Sequence, residues 1–364
     1  MIYLDYQATT PLAPEARAAM LPWLDGPDGM GFGNPHSQHK MGRASAAAME
    51  VAREQVAGLC PPGGRVIFTG SATEAINLAL RGSAPAGDRR PLAVSAIEHA
   101  AVLDTAQALG SPVATIPVNG EGIADPQVSL PAGTRLVALM QVNNEIGTIQ
   151  PCAELFARAR SIGALTLCDG VQAAGKIALA QADMIALSAH KLHGPKGIGA
   201  LWIRDGVQLT PILTGGGQEQ GLRSGTLSPA LCAGFGAAAA LAAERREVDH
   251  SHVERLWKKA VELLDKRWII NGSSEHRWHG NLNIRREGLD VARLMSDLRD
   301  LAFSAGSACA SGSGRPSHVL KAIGLDSSEA KCSIRLGFGR YTGEADLEAA
   351  ARAINAAADR QEMT

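Results

Sequence analysis

The residues best placed to do chemistry sit in Ser188-Ala189-His190-Lys191-Leu192-His193-Gly194-Pro195-Lys196. Lys191 follows an apolar run that reads as a buried strand, where an ammonium is costly to desolvate unless it is paired or covalently engaged. A Schiff base with a carbonyl compound removes that cost. Ser188 and His190 offer donors for a phosphate beside it, and Gly194-Pro195 permits a tight, rigid turn. Alone, Lys191 is an ordinary loop lysine; its company elsewhere in the chain changes the reading. Thr69-Gly70-Ser71-Ala72-Thr73-Glu74 follows an apolar run at 65–68 and opens a helix. Its backbone N–H groups and the Thr73 hydroxyl could hold a phosphate at a helix N-terminus, although the same residues also spell a capping box. No Gly-Lys-Ser or Gly-Lys-Thr follows, so a nucleoside triphosphate loop is disfavoured.

Asp169, directly after the run 165–168, could pair with a protonated pyridine nitrogen and keep such a ring electron-poor enough to absorb carbanion charge; equally, it could cap the next turn. Gln172 lies three residues on. His99, in Glu98-His99-Ala100, could lie flat over a ring or be a packed histidine like any other. The six cysteines (60, 152, 168, 232, 309 and 332) include no Cys-x-x-Cys pair, so neither a zinc site nor a disulfide framework is indicated. Most read as small core residues. Cys309 is the exception, because Ser304-Ala305-Gly306-Ser307-Ala308-Cys309-Ala310-Ser311-Gly312-Ser313-Gly314 is too small and polar to bury.

These residues need a scaffold. Short apolar runs at 65–68, 92–95, 113–116, 136–140, 165–168, 184–187 and 200–203 alternate with helical patterns, which predicts an α/β fold with a mostly parallel sheet flanked by helices on both faces. Ligands of such sheets bind beyond the carboxyl ends of strands, where Asp169 and Ser188 stand. A helix is predicted over 228–246, capped by Ser228 with Pro229 in its first turn, and it could link two domains. Beyond it, helices at 253–264, 291–298 and 344–357 and strands at 282–284 and 333–336 predict a smaller α+β unit.

Composition excludes other classes. Lys plus Arg number 35 against 36 for Asp plus Glu, giving a net charge of −1, so no basic excess exists to meet nucleic acid or anionic lipid. The longest apolar run, 229–243, falls short of the roughly 20 residues that cross a bilayer. The chain opens on Ile2-Tyr3-Leu4-Asp5 without the pattern of a secretory signal, which predicts a cytoplasmic protein.

Taken together, the motifs resemble those of the group I cysteine desulfurases, pyridoxal-phosphate enzymes of the class-V aminotransferase family similar to those serving nitrogenase and general iron-sulfur cluster assembly. The matching segments run in family order: Tyr3-Leu4-Asp5-Tyr6-Gln7-Ala8-Thr9-Thr10-Pro11, Gly33-Asn34-Pro35-His36-Ser37-Gln38-His39, Ser71-Ala72-Thr73-Glu74, Glu98-His99, Val142-Asn143-Asn144-Glu145-Ile146-Gly147, Asp169-Gly170-Val171-Gln172, Ser188-Ala189-His190-Lys191, Arg223-Ser224-Gly225-Thr226, Ser307-Ala308-Cys309 and Ser333-Ile334-Arg335. The resemblance implies fold type I of the pyridoxal-phosphate transferases with a seven-stranded sheet. It also implies an N-terminal segment (1–14) associated with the small domain, a large cofactor-binding domain (15–247), and a small domain (248–364) carrying a mobile Cys309 loop.

It further implies a set of roles. Lys191 joins the cofactor as an imine, Asp169 meets the pyridine nitrogen, Gln172 lies near the ring hydroxyl, and His99 stacks on the ring. Ala72, Thr73, Ser188 and His190 hold the phosphate, joined by Thr226 of a second subunit, hence a homodimer. Asn34, Asn144 and Arg335 bind the substrate, Arg335 through a bidentate fork on its carboxylate. Cys309 attacks the sulfur of L-cysteine, leaving L-alanine and an enzyme persulfide destined for an iron-sulfur scaffold or another acceptor protein. Cys309 could touch iron transiently, with no permanent metal.

Three departures from the family pattern are Gly70-Ser71 for Ser-Gly, Gly170 for alanine and Ala310 for threonine. A short stretch after Arg340 leaves the acceptor open. The alternatives are another aminotransferase or lyase of this fold type, which has no need of Cys309, and a non-catalytic sulfur carrier or assembly platform.

Overall fold

The computed structural model describes residues 1–85, 87–306 and 317–362. A short strand, β1 (Ile2–Tyr3), is followed by helices α1 (Pro14–Met20) and α2 (Lys40–Ala57). Then come β2 (Gly64–Thr69), α3 (Ala72–Gly82), β3 (Leu92–Ser95), α4 (Ala100–Ala108), β4 (Val113–Ile116), β5 (Leu136–Met140), α5 (Cys152–Ser161), β6 (Leu165–Asp169), β7 (Met184–Ser188) and β8 (Gly199–Arg204). All seven strands read from the apolar runs are present, and they form one sheet in the order β2-β8-β7-β6-β5-β3-β4. Every pairing is parallel except those of β8, which runs against both β2 and β7.

Alternation along the strands splits the sheet between two cores. Val66, Phe68, Val137, Leu139, Ile185 and Leu187 pack with residues of α1, α2 and α5, while Ile67, Leu136, Ala138, Met184 and Ala186 pack on the opposite face with α3 and α4. Because both faces are covered, β3, β5 and β7 are buried at every residue. The ends of β2, β6 and β7 therefore open on the same edge as the start of antiparallel β8.

Beyond the sheet lies α6 (Pro229–Leu263), started as predicted by Ser228, whose side chain accepts from the Leu231 amide, with Pro229 at its first position. The two helices predicted at 228–246 and 253–264 are one continuous element of 35 residues. The intervening residues include no Gly or Pro, and i,i+4 pairs between Arg245 and Asp249 and between His250 and Glu254 bridge the gap. The 247/248 boundary read from sequence thus falls inside a helix, whose first half packs in one of the sheet cores and whose Leu256, Trp257 and Ala260 join a third core.

The rest of the chain forms β9 (Ile269–Ile270), β10 (Asn281–Arg285), α7 (Val291–Asp297), β11 (Leu301–Ala302), β12 (Ser304–Ala305), α8 (His318–Ala322), α9 (Ser327–Lys331), β13 (Ser333–Gly337) and α10 (Glu344–Glu362); α8 and α9 send Val319, Leu320 and Ala330 into a small separate core with Ile97, Met140 and Ile146. Four of these strands form an antiparallel sheet in the order β12-β13-β10-β9. β1 pairs with β11, and Leu4 is buried beside Leu282, Ile334 and Leu347. Among the described residues, no helix is long and apolar enough to cross a membrane.

Candidate active site

A cavity of about 340 Å³ opens at the strand-end edge, and its wall includes Gln7, Ala72, Thr73, His99, Asn144, Asp169, Gln172, Ser188, His190, Lys191 and Arg335. Residues scattered over more than 300 positions of sequence converge because their elements end there. Asp169 and Ser188 are the last residues of β6 and β7, and Lys191 ends the short helical turn that follows β7.

One wall is the start of α3. Ser71 caps it by accepting from the Glu74 amide at 3.2 Å, and Glu74 in turn accepts from the Gly70 amide at 2.7 Å and from Arg223 Nε at 2.7 Å. The capping reading holds and leaves the anion reading open: the cap occupies Glu74, while Ala72 and Thr73 face the cavity with first-turn N–H groups that have no partner within the helix. Gly199, at the start of β8, allows this approach. A Cβ there would meet Ser71 C at 2.5 Å and Ala72 N at 2.6 Å. Opposite stand Ser188 and His190, whose Nδ1 lies 3.1 Å from Thr9 Oγ1. Burial, with Lys191 and Lys196 adding, lowers the His190 pKa to about 4, so the ring is neutral.

The floor carries the titratable pair. Asp169 accepts from the Val171 amide at 3.0 Å; burial raises its pKa, opposed by His99 and Lys191. His99 caps α4, its Nδ1 accepting from the Ala101 amide at 3.1 Å. That bond uses Nδ1 as the cap and leaves Nε2 for other partners. Beneath it, buried Glu98 accepts from the Met140 amide at 2.6 Å through one oxygen while the other has no partner, and burial followed by the Asp169 charge raises its pKa to about 8. Glu98 is therefore mostly a neutral acid at pH 7, which spares Asp169 a second adjacent anion.

Lys191 Nζ donates to the carbonyls of Gln7 at 2.5 Å and Ala8 at 2.8 Å. Arg335, from the middle of β13, is buried, with Nη1 donating to the Asn144 carbonyl at 3.0 Å and Nη2 bonded to Asp5 at 2.8 Å. Its Nε has no partner.

The arrangement fits a phosphorylated pyridine aldehyde. A helix start with two polar partners suits the phosphate, an amine suits the aldehyde, a buried carboxyl suits a ring nitrogen, and an imidazole suits a ring face. The unpartnered Arg335 Nε is a buried donor left over for a carboxylate.

Two residues singled out from sequence do not line this cavity. Asn34 and Thr226 are exposed, Asn34 accepting from the His36 amide at 2.9 Å. Cys309 lies outside the described residues. On either side of that stretch, Ser304 donates to Asp5 and Ser317 to buried Glu145. Burial drives the thiols of Cys60 and Cys232 up to about 12, and Cys168 is raised well above its ordinary value by its contact with Cys152 and by burial. Those three thiols stay protonated and unreactive.

The sequence reading missed Gln7 and Ala8, which act through backbone carbonyls, and Glu98 and Asp5, which act through a neighbour. Backbone roles leave no residue-type signal.

The chain matches the family model described as aminotransferase class-V over residues 2–350. It is similar to the cysteine desulfurase IscS of Rickettsia bellii (strain OSU 85-389), with 40% identity over 372 residues, covering 97% of this chain and 90% of that protein. Among solved structures it resembles a NifS-like protein, with a TM-score of 0.89 and 30% identity over 100% of both chains. It also resembles SspA in complex with cysteine, with a TM-score of 0.82 and 32% identity, over 94% of this chain and 100% of that one.

Proposed function

The chain belongs to the class-V aminotransferase family, pyridoxal-phosphate enzymes, and on that footing we propose how it works as a cysteine desulfurase. The observation that carries the reading is the convergence of an amine, a buried carboxyl, a capped imidazole and a buried arginine on one cavity: Lys191, Asp169, His99 and Arg335.

Pyridoxal phosphate, when bound, supplies an electron sink for the charge left on breaking the substrate's Cα–H bond. Ala72, Thr73, Ser188 and His190 would hold its phosphate, Asp169 would meet its ring nitrogen, Gln172 its ring hydroxyl and His99 its ring face. Lys191 would anchor it, and its Nζ, when free, would take the substrate's Cα proton. Arg335 and Asn144 hold the substrate carboxylate and so aim Cα–H at Lys191. The Cys309 thiolate then attacks the substrate sulfur. An S–S bond forms, the C–S bond breaks with its electron pair staying on carbon, and the carbon skeleton leaves as L-alanine after protonation.

We assign the persulfide on Cys309 to an acceptor protein of iron-sulfur cluster assembly, working in the cytoplasm. Among the described residues, no group of three or more His, Cys, Asp or Glu could hold a metal ion, and iron enters this reading only as a transient contact of Cys309. A homodimer accounts for Asn34 and Thr226, exposed and outside their own chain's cavity, as contributions to the partner's site. Exposed apolar Leu24, Met30 and Phe32 at 62%, 45% and 57% suit burial by a second copy. The division into 1–14 plus 248–364 against 15–247 keeps Leu4 with the third core, and we retain it with α6 as the shared strut.

The test is mass spectrometry of the protein exposed to L-cysteine. A sulfur adduct on the peptide bearing Cys309, with one alanine released per adduct, is expected; an adduct confined to other cysteines rejects the assignment.

A further inference from the structure

Lys176 has no part in the roles assigned above, yet its Nζ donates to Gln172 Oε1 at 3.1 Å. On the other side of the same amide, Gln172 Nε2 donates to the Gln7 carbonyl at 3.1 Å. An ammonium has only donors and a carbonyl only accepts, so these two neighbours leave the Gln172 amide a single orientation. The Gln7 carbonyl also receives Lys191 Nζ at 2.5 Å, and Gln7 is itself pinned by Nε2 donating to the Gly280 carbonyl at 2.8 Å.

Two lysines thus flank a wall made of Gln7 and Gln172. Gln172 and Lys191 face the large cavity, whereas Lys176 and Lys191 line a second one of about 40 Å³. The titratable and charged groups around that rear cavity are Tyr6, His193, Arg246, Asp249 and Arg340 together with the two lysines.

We propose that Lys176 is a positioning residue that holds the Gln172 amide with its NH2 group toward the active-site cavity, so that the cofactor's ring oxygen meets a donor and not another oxygen. The proposal rests on the reading of Gln172 as the neighbour of that ring oxygen. Without Lys176 the Gln7 carbonyl alone would set the orientation, by one contact in place of two. Burial, with the charge of Lys191 adding, lowers the Lys176 pKa to about 7. The neutral amine can still donate to Oε1, but its lone pair no longer forbids the turned-over amide, so the orientation is enforced most strongly by the charged form.

The experiment follows the visible absorption of protein reconstituted with pyridoxal phosphate, titrated against pH, for wild type, Lys176→Met, Lys176→Gln and Lys176→Arg. Weakening the hold on that donor, and removing the cation behind it, favours the protonated form of the bound chromophore. In K176M and K176Q the pH at which the visible band fades should rise by about half a unit or more, while the KM for cysteine stays within about twofold. K176R should restore the wild-type midpoint. An unmoved midpoint in folded, cofactor-bearing K176M overturns the proposal, as does a shift that K176R fails to reverse. If K176M does not fold, K176Q carries the same test. A wild-type protein that gains no visible band at all would instead sink the functional reading beneath it.

Discussion

Asp5 and Arg335, 330 positions apart in sequence, form an ion pair at 2.8 Å across the wall of the cavity. Arg335 sits on β13 at 1% side-chain exposure, so an uncompensated charge there would be costly, and Asp5 supplies the compensation from the N-terminal segment. Ser304 Oγ adds a contact to Asp5 at 2.8 Å, and the Asn144 carbonyl takes Nη1 at 3.0 Å. The guanidinium plane is thus fixed before substrate arrives, with Nε unbonded. Arg335→Ala is expected to raise the KM for L-cysteine by a factor equivalent to roughly 2 to 5 kcal/mol, the range for truncating one side of a desolvated charge pair. Arg335→Lys should not rescue it, because an ammonium lacks the planar fork. Steady-state kinetics decide the matter, and an unchanged KM in R335A removes Arg335 from the substrate site.

Cys309→Ser separates sulfur transfer from the earlier steps. Lys191 and Arg335 remain intact in this variant, so adding L-cysteine should still perturb the visible spectrum, while sulfide and alanine formation under turnover should fall by a factor of 100 or more, on the order of a lost nucleophile. Undiminished turnover would favour an aminotransferase or lyase reaction with no thiol in it.

A third prediction concerns stability. Glu219 is buried, receives Arg53 Nη1 and Nη2 at 2.6 and 2.8 Å and the Phe68 amide at 2.7 Å, and thereby ties its loop to β2 and α2. Glu219→Ala leaves a guanidinium at 15% side-chain exposure without this partner and an amide unbonded. The expected loss is about 3 to 5 kcal/mol in urea denaturation. A loss under about 1 kcal/mol would show that Glu50, which also touches Arg53, suffices.

Much of the large domain was legible because strands buried on both faces must be continuous apolar runs, and 92–95, 136–140 and 184–187 are such runs. The single long helix was not legible. The charged stretch around 246–252 reads as a break, and only the structure reveals that α6 continues through it with its own ion pairs. Lys191 and Asp169, which line the cavity, stood out in the sequence because a charged residue at the end of an apolar strand is anomalous. Gln7, Lys176 and Glu98 were not assigned roles, because their work is done through a backbone carbonyl, a neighbouring amide and a neighbouring carboxylate. Helix α2, capped by a His39 side chain accepting from the Gly42 amide, carries no conventional start signal.

Acid should destabilise the protein through two histidines. Burial depresses the pKa of His193, as of His190, to about 4 in the folded state, against about 6.5 unfolded. Below pH 6.5 the unfolded chain takes up protons that the folded chain does not. The stability these groups contribute is therefore present above pH 6.5 and is lost as pH falls toward 4. Each contributes a slope of up to about 1.4 kcal/mol per pH unit in that window. His193 has a backbone φ of 68°, which Asn tolerates. In His193→Asn the slope between pH 6 and 4.5 should flatten by about one proton's worth, read from urea midpoints. An unaltered slope would mean that His193 is protonated within the folded state.

The last prediction tests the phosphate cradle without touching any side chain that would bind. Gly199 pairs with both Thr69 and Ser188, so it sits where β2, β7 and the start of α3 meet. An alanine methyl there would lie 2.5 Å from Ser71 C, 2.6 Å from Ala72 N and 2.7 Å from the Leu187 carbonyl oxygen, all backbone atoms that no rotamer change can move aside. Relief requires α3 to back away from β8, which carries the Ala72 and Thr73 amides out of register with Ser188 and His190. Gly199→Ala should therefore weaken cofactor binding at least about tenfold and cost about 1 to 3 kcal/mol of stability, the usual range for overpacking. Gly120→Ala is the control, since a Cβ there would meet only the Ile323 carbonyl oxygen at 3.8 Å. Equilibrium dialysis of pyridoxal phosphate against both variants gives the answer: wild-type affinity in folded G199A would show that the start of α3 is not what holds the phosphate.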